Sequence, residues 1–294
     1  MSTRSANPAP QQSLKSASGN YRRRKIVDRI MTVLAYACTT IAVAVLAWVI
    51  VYVMIRGAGT WSLDFFTENT ALFGDGGGIY NALYGTGIIV LMSVIMGMPV
   101  GVMAGIYLAE FGDTRLGGFT RFIADTMSGF PSIVLGLFVY GLLVIVMGWN
   151  AFAGAFALAI LMLPVIARST EGAIRLVPHE LREASLALGI PQWKTILRVV
   201  LPSAASGILT GAFLAIARAA GETAPLLFTI LGSNFLNTNP FEGAMAAVSL
   251  YVYQASSSPY QAVQEAGWGA AFVLLLFVLV LNVIARAIAT RGRQ

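Results

Sequence analysis

Between residues 30 and 55 the sequence carries no charged side chain, and five further stretches, at about 82–109, 130–148, 152–168, 204–231 and 268–288, are nearly as apolar. A bilayer core about 30 Å thick is crossed by roughly 20 apolar residues in an α-helix, which satisfies every backbone group without water. Six such stretches in one chain predict an all-α, polytopic membrane protein with six transmembrane helices. With 57% hydrophobic and 11% charged residues, the chain is too apolar for a soluble domain of this length. The fourth stretch is short and interrupted by Pro164, and only the turn at Gly148 to Ala151 separates it from the third. A tight antiparallel hairpin is expected there. The first stretch lies behind a polar tail, exceeds a signal-peptide core in length and has no Ala-x-Ala pattern after it, so it reads as a span.

Charge sets the orientation. Residues 1–20 are rich in Ser, Ala, Pro, Asn and Gln, and Arg22, Arg23, Arg24, Lys25 and Arg29 follow directly before the first span. Residues 1–29 are therefore expected to be a disordered basic tail, and 30–290 the membrane domain. With the amino terminus in the cytosol, 17 of the 19 lysines and arginines fall on the cytosolic side, leaving Arg56 outside and Arg218 within a span. The positive-inside rule then places both termini in the cytosol. Segments 56–81 and 232–267 should be external, and 169–203 the longest cytosolic connection. Trp61, Tyr80, Tyr84, Tyr251, Tyr253, Tyr260 and Trp268 suit the headgroup level. Segment 240–254 is apolar but too short to span, as a surface or re-entrant helix would be. Arg168 and Arg286 read as interface anchors, and Glu110 and Asp125 as snorkelling or capping groups at span ends.

Several chemistries lack their residues. The Gly-rich run Gly74-Asp75-Gly76-Gly77-Gly78 has no Lys-Ser/Thr after it and no strand before it, so it reads as a flexible turn rather than a phosphate-binding loop. Energy from ATP would have to come from another polypeptide. One histidine, His179, and one cysteine, Cys38, give no metal cluster, no internal disulfide and no catalytic triad. His179 reads as a surface residue, Cys38 as packing, and the chain is not expected to be an enzyme.

Against this apolar background, Arg218 and Glu222 stand out. A charge at the bilayer centre costs roughly 2.5–3.5 kcal/mol on insertion scales, so an intramembrane Arg and Glu point first to function. Spaced four apart, they share a helix face and can pair. Pro225 lacks an N–H and frees the carbonyl of Gly221, which predicts a broken helix beside the pair. A charged pair at a helix break has the make-up of a solute pathway, with a static structural pair as the plainer alternative. Two spans also carry small residues every fourth position: Gly97, Gly101, Gly105 and Ala109, then Ser203, Gly207, Gly211, Ala215 and Ala219. Such stripes let helix backbones approach closely, and close packing is the first reading of each.

From Leu176 to Pro202, Pro178 suits a helix start, Leu181, Ala184 and Leu188 share a face, and Gly189 with Pro191 forms a stop. A short amphipathic helix, a turn and a second apolar segment are predicted there, able to dock into a partner or to lie on the lipid surface.

The spacing within this loop, Glu183-Ala184-Ser185, Gly189 and Val199-Val200-Leu201-Pro202, resembles the EAA loop of bacterial ABC importer permeases, with Ser185 and Val199 as conservative departures. The resemblance implies a type I importer permease fold and an ATPase that receives the loop at Glu183, Ala184 and Gly189. Arg218-Ala219-Ala220-Gly221-Glu222-Thr223-Ala224-Pro225 resembles the signature of PstA-type permease subunits of phosphate-specific ABC transporters. So do Gly78-Ile79-Tyr80-Asn81-Ala82 with Gly85-Thr86, Tyr107 to Glu110, and Pro131 to Leu137. This covers about 75–290. It implies a PstC-type partner permease, two copies of a PstB-type ATPase that binds ATP and Mg, a periplasmic PstS-type phosphate-binding protein, and a transport role for Arg218 and Glu222. No cofactor is expected in this chain. Guanidinium matches phosphate oxygens bidentately, whereas an ionised Glu222 would hold Arg218 in a closed state rather than touch the anion. A permease for sulfate or molybdate, the partner-type phosphate permease, and a secondary transporter or membrane scaffold without ATP coupling are the alternatives.

Overall fold

The computed structural model describes residues 17–71 and 77–291. Residues 1–16 of the expected tail and Gly74 to Gly76 of the Gly-rich turn lie outside the described residues. In chain order the helices are α1 Ala17–Ala58, α2 Leu63–Thr67, α3 Tyr80–Phe111, α4 Arg115–Ser128, α5 Ser132–Met147, α6 Ala151–Arg175, α7 His179–Ala187, α8 Gln192–Gly221, α9 Ala224–Thr229, α10 Val248–Ser256 and α11 Gln261–Arg291. Among the described residues five of them, α1, α3, α6, α8 and α11, are long and apolar enough to cross a membrane, and the pair α4 and α5, bent by 102°, gives a sixth when its halves are counted as one broken span. The chain divides into two units, Met1–Tyr52, which holds most of α1, and Val53–Gln294. In the first unit α1 begins at Ala17, so the stretch 17–29 expected to be disordered is helical and carries its basic run on the same helix as the span. Arg and Lys are good helix formers, and an adjoining apolar helix removes the cost of nucleation.

In the second unit α6 is the central helix, and what positions it is the absence of side chains on its neighbours. A Cβ on Gly97 would stand 3.2 Å from Ala159 Cα, one on Gly101 2.8 Å from Ile166 Cβ, and one on Gly105 2.6 Å from the Ala167 carbonyl oxygen. The matched numbers rise together, so α3 and α6 run parallel. On the other side a Cβ on Gly207 would stand 2.7 Å from Ala173 Cβ, and one on Gly211 would collide with Ser169. Those numbers run oppositely, so α8 is antiparallel to α6. Lipid is as apolar as leucine, and helix association in a membrane therefore rests on close contact of this kind. Both small-residue stripes are thus packing ridges against one helix, and Ala151, Ala155, Leu158, Met162 and Ile166 of α6 lie buried between them with Ala215 and Ala219 of α8.

Three expectations need correction. Helix α6 runs unbroken for 25 residues through Pro164, longer than the stretch 152–168 and not interrupted. Buried between two close neighbours, it tolerates the lost hydrogen bond. Its main partners are α3 and α8 rather than α5, so the expected hairpin is a short connection and not the principal contact. Within α5 the turn Tyr140–Val144 is π-helical, as is Ile196–Val200 in α8. One aromatic residue assigned to the interface is internal: Tyr251 is buried. Trp61 stays exposed, stacked on Phe272 at 4.7 Å with its Nε1 donating to the Gly269 carbonyl oxygen at 3.4 Å.

The charges set aside as anchors form a strap. Glu171, buried on α6, accepts from Arg121 at 2.7 Å and Arg168 at 2.8 Å and forms an ion pair with Arg175 at 2.9 Å, and Arg168 also pairs with Asp125. Arg121 and Asp125 belong to α4, so these bonds fasten α4 across the end of α6.

Candidate functional site

The break anticipated from Pro225 is where the local rules put it. Helix α8 ends at Gly221, Glu222 is extended at φ −73° and ψ 128°, and α9 restarts with Pro225 in its first turn. The groups released by the break find partners that local reasoning could not supply. Ser249 Oγ, from the first turn of α10, donates to the Glu222 carbonyl oxygen at 3.0 Å, and Thr223 Oγ1 donates to the Ser249 carbonyl oxygen at 3.4 Å. Space for the restarting helix comes from Gly136 of α5, where a Cβ would stand 2.6 Å from Pro225 Cα. The run Pro131 to Leu137 therefore owes its glycine to the break.

Despite the change of backbone at Glu222, the pair forms. Arg218 Nε lies 3.4 Å from Glu222 Oε1. Its depth follows from packing register. Thr210 Oγ1 donates to the Ala285 carbonyl oxygen at 3.3 Å, which fixes α8 against antiparallel α11. Eight residues of helix, about 12 Å at 1.5 Å per residue, carry the chain from Thr210 to Arg218. That brings it level with the neighbourhood of Phe277, midway along the apolar stretch 268–288. Ile216 accordingly shares a cavity with Leu274 and Phe277. The Arg218 side chain is 62% exposed and that of Glu222 18%, so the carboxylate is tucked into the chain while the guanidinium is presented at its surface. A cation at this depth, on the outside of its own subunit, can face an aqueous path or another chain far more cheaply than lipid.

The mouth beyond the break is pinned by the residues of the Gly78 to Thr86 run. Buried Asn81 accepts from Thr70 N at 3.0 Å and donates to Thr70 Oγ1 at 2.9 Å and to the Ser233 carbonyl oxygen at 2.7 Å. Thr86 Oγ1 accepts from Val248 N at 2.8 Å, one residue before Ser249. A side chain on Gly85 would collide with the Ala246 carbonyl oxygen. These residues hold α10 against both α3 and the break.

At the opposite end lies the loop 176–202. Helix α7 follows Pro178 and stops at Gly189, whose φ of +76° favours a residue without a side chain. Ser185, the departure from Glu-Ala-Ala, is buried and its Oγ lies 2.8 Å from Thr195 Oγ1, which locks α7 to the start of α8. Glu183 and Ala184 face outward, as do Leu181, Leu188 and Trp193. His179 is exposed and 3.9 Å from Glu183. The break and the loop are thus joined by one helix, α8, but they are not one site. Sequence reasoning missed Arg182, which turns inward: its Nη1 lies 2.5 Å from Glu110 Oε1 at the end of α3, and its Nη2 donates to the Ile174 carbonyl oxygen of α6 at 3.3 Å.

Comparisons with known proteins agree with this architecture. The family described as binding-protein-dependent transport system inner membrane component matches residues 97–294. The phosphate transport system permease protein PstA of Pasteurella multocida is 41% identical, covering 91% of this chain and 96% of its own. That of Haemophilus influenzae is 42% identical, covering 90% and 94%. An inward-facing structure of the MetNI methionine ABC transporter, 21% identical, superposes with a TM-score of 0.58 over 73% of this chain and 94% of its own, a likeness of fold alone. Helical spans, the broken α8 and matches along nearly the whole length together lead to one assignment: the chain belongs to the binding-protein-dependent transport inner membrane family and, within it, to the PstA-type permeases of phosphate transport systems.

Proposed function

We propose that this chain is the permease subunit of an ATP-driven phosphate importer, forming the translocation path with a second, PstC-type permease. The observation that carries the reading is Arg218, held at mid-depth beside a helix break, presented at the chain's surface and paired with a half-buried Glu222. The names of its relatives supply phosphate as the solute, and the guanidinium is the chemistry that suits it. In this scheme Glu222 neutralises Arg218 while the path is closed, and a shift of α8 past α9 releases the guanidinium to the anion. The exposed face of α7, with Glu183, Ala184 and the Gly189 stop, receives a PstB-type ATPase pair, which binds ATP and Mg and hydrolyses the nucleotide. A PstS-type binding protein delivers phosphate at the α10 end. The charge distribution supports a cytosolic location for both termini and for α7, in a bacterial inner membrane.

Phosphate uptake and phosphate-stimulated ATP hydrolysis by the assembled transporter test the scheme. Arg218→Lys, which keeps charge but loses the fork, and Glu222→Gln, which removes the neutralising charge, are expected to lower uptake about tenfold or more, with Glu222→Gln raising hydrolysis in the absence of phosphate. Wild-type uptake and hydrolysis in both variants would sink the gate. Uptake inhibited by sulfate or molybdate as strongly as by phosphate would assign another oxyanion.

A further inference from the structure

The inner end of the bundle contains a charge pair that the scheme above does not use. Arg182 and Glu110 have side chains only 19% and 5% exposed, and they join α7 to α3 across 72 residues of sequence. The same guanidinium donates to the Ile174 carbonyl oxygen, one residue before the end of α6. One side chain of α7 thus grips both helices that the Gly97, Gly101 and Gly105 ridge presses together.

Covalently, α7 is joined to α6 by the short link 176–178 and, through the Gly189 turn, to α8, whose first turn is followed by the π-helical stretch Ile196–Val200. A π turn carries one residue in excess of the α-helical repeat and is where a helix can shift register. A displacement of α7 can therefore be absorbed along α8, whereas α3, to which α7 has no short covalent link, receives it through the Arg182–Glu110 pair, and the bond to the Ile174 carbonyl ties the same side chain to α6. We propose that Arg182 is a positioning residue for transport: through Glu110 and the Ile174 carbonyl it transmits the movement of the ATPase-facing helix to α3 and α6 as one body. This rests on the reading of α7 as the ATPase contact. Arg182 points away from the exposed face that holds Glu183 and Ala184, so its role is separable from docking.

The test uses the complete transporter in liposomes and measures phosphate taken up per ATP hydrolysed, alongside the amount of ATPase that co-purifies and the thermal stability of the complex. Arg182→Gln is expected to leave ATPase binding intact and to lower the transport ratio about tenfold, towards the lower end of the range of about 5–150-fold for coupling between sites. Arg182→Lys, which keeps charge but lacks the planar fork, should lie between. The exchange Arg182→Glu with Glu110→Arg should restore most of the ratio that either single change removes. A transport ratio unchanged in Arg182→Gln overturns the proposal, and so does a loss of uptake that only follows a loss of assembled complex. An ATPase that co-purifies equally well with Glu183→Ala and with a chain lacking 179–188 would instead overturn the contact on which the proposal rests.

Discussion

Helix α3 contains two glycines whose replacement by alanine separates packing from helix propensity. At Gly87 an added Cβ meets nothing within 4 Å; at Gly105 it would stand 2.6 Å from the Ala167 carbonyl oxygen, a backbone atom that cannot rotate away. Each substitution gains about 0.5–1 kcal/mol from the smaller loss of backbone entropy in a helix. Overpacking at Gly105 costs about 1–3 kcal/mol, since either α6 must move off the ridge or α3 must bend. The net expectation for Gly105→Ala is a loss of up to about 2.5 kcal/mol, and at about 2–4 °C per kcal/mol its melting temperature should fall by up to about 10 °C. Gly87→Ala should melt at or slightly above the parent. Tryptophan fluorescence of the purified protein in detergent, heated at one scan rate because unfolding is irreversible in many such proteins, reads both. If Gly105→Ala melted at or above Gly87→Ala, α3 and α6 would not meet along this ridge and the central packing described for the bundle would be wrong.

Two further changes probe the α10 end by the same melting assay. The Tyr251 hydroxyl is buried without a hydrogen-bond partner, and burial pushes its phenol above the ordinary value. Tyr251→Phe removes an unpaired polar atom and should leave stability unchanged or raise it by about 1 kcal/mol; a clear loss would reveal a partner for the hydroxyl. Asn81→Ala abolishes three buried hydrogen bonds and strands Thr70 and Ser233 groups, so a loss of about 2–4 kcal/mol is expected, and a parental melting temperature would remove Asn81 from its role as the pin between α3 and the loop before α10.

What could be read in advance was governed by range along the chain. The spans follow from apolar length, the ridge of Gly97, Gly101 and Gly105 from a period of four, and the stop at Gly221 from Pro225, all of them local rules. The pairing of Arg218 with Glu222 survived even though Glu222 left the helix, because a four-residue separation keeps the two side chains within reach. Glu110 could not be matched to Arg182, nor the break to Ser249, since both bonds join segments that only the assembled fold brings together. Pro164 was misread for a related reason: its effect depends on neighbours, and α6 is supported on both sides. The aromatic residues of the loops were assigned by type alone, and type does not distinguish Tyr251, which is buried, from Tyr253, which is exposed.

The double ridge around α6 has a mechanical consequence. Contacts that use backbone rather than long side chains have little travel: a slide along α3 or α8 carries each glycine away from the backbone it faces, and the next small residue on that face is a full turn, about 6 Å, further along. Three helices held in this way behave as a keel, and spectroscopic probes placed on α3 and α8 should report a constant separation throughout turnover. Labels on α5 and α9, which pack together with Gly136 facing Pro225 beside the break, are where changes in distance should be sought.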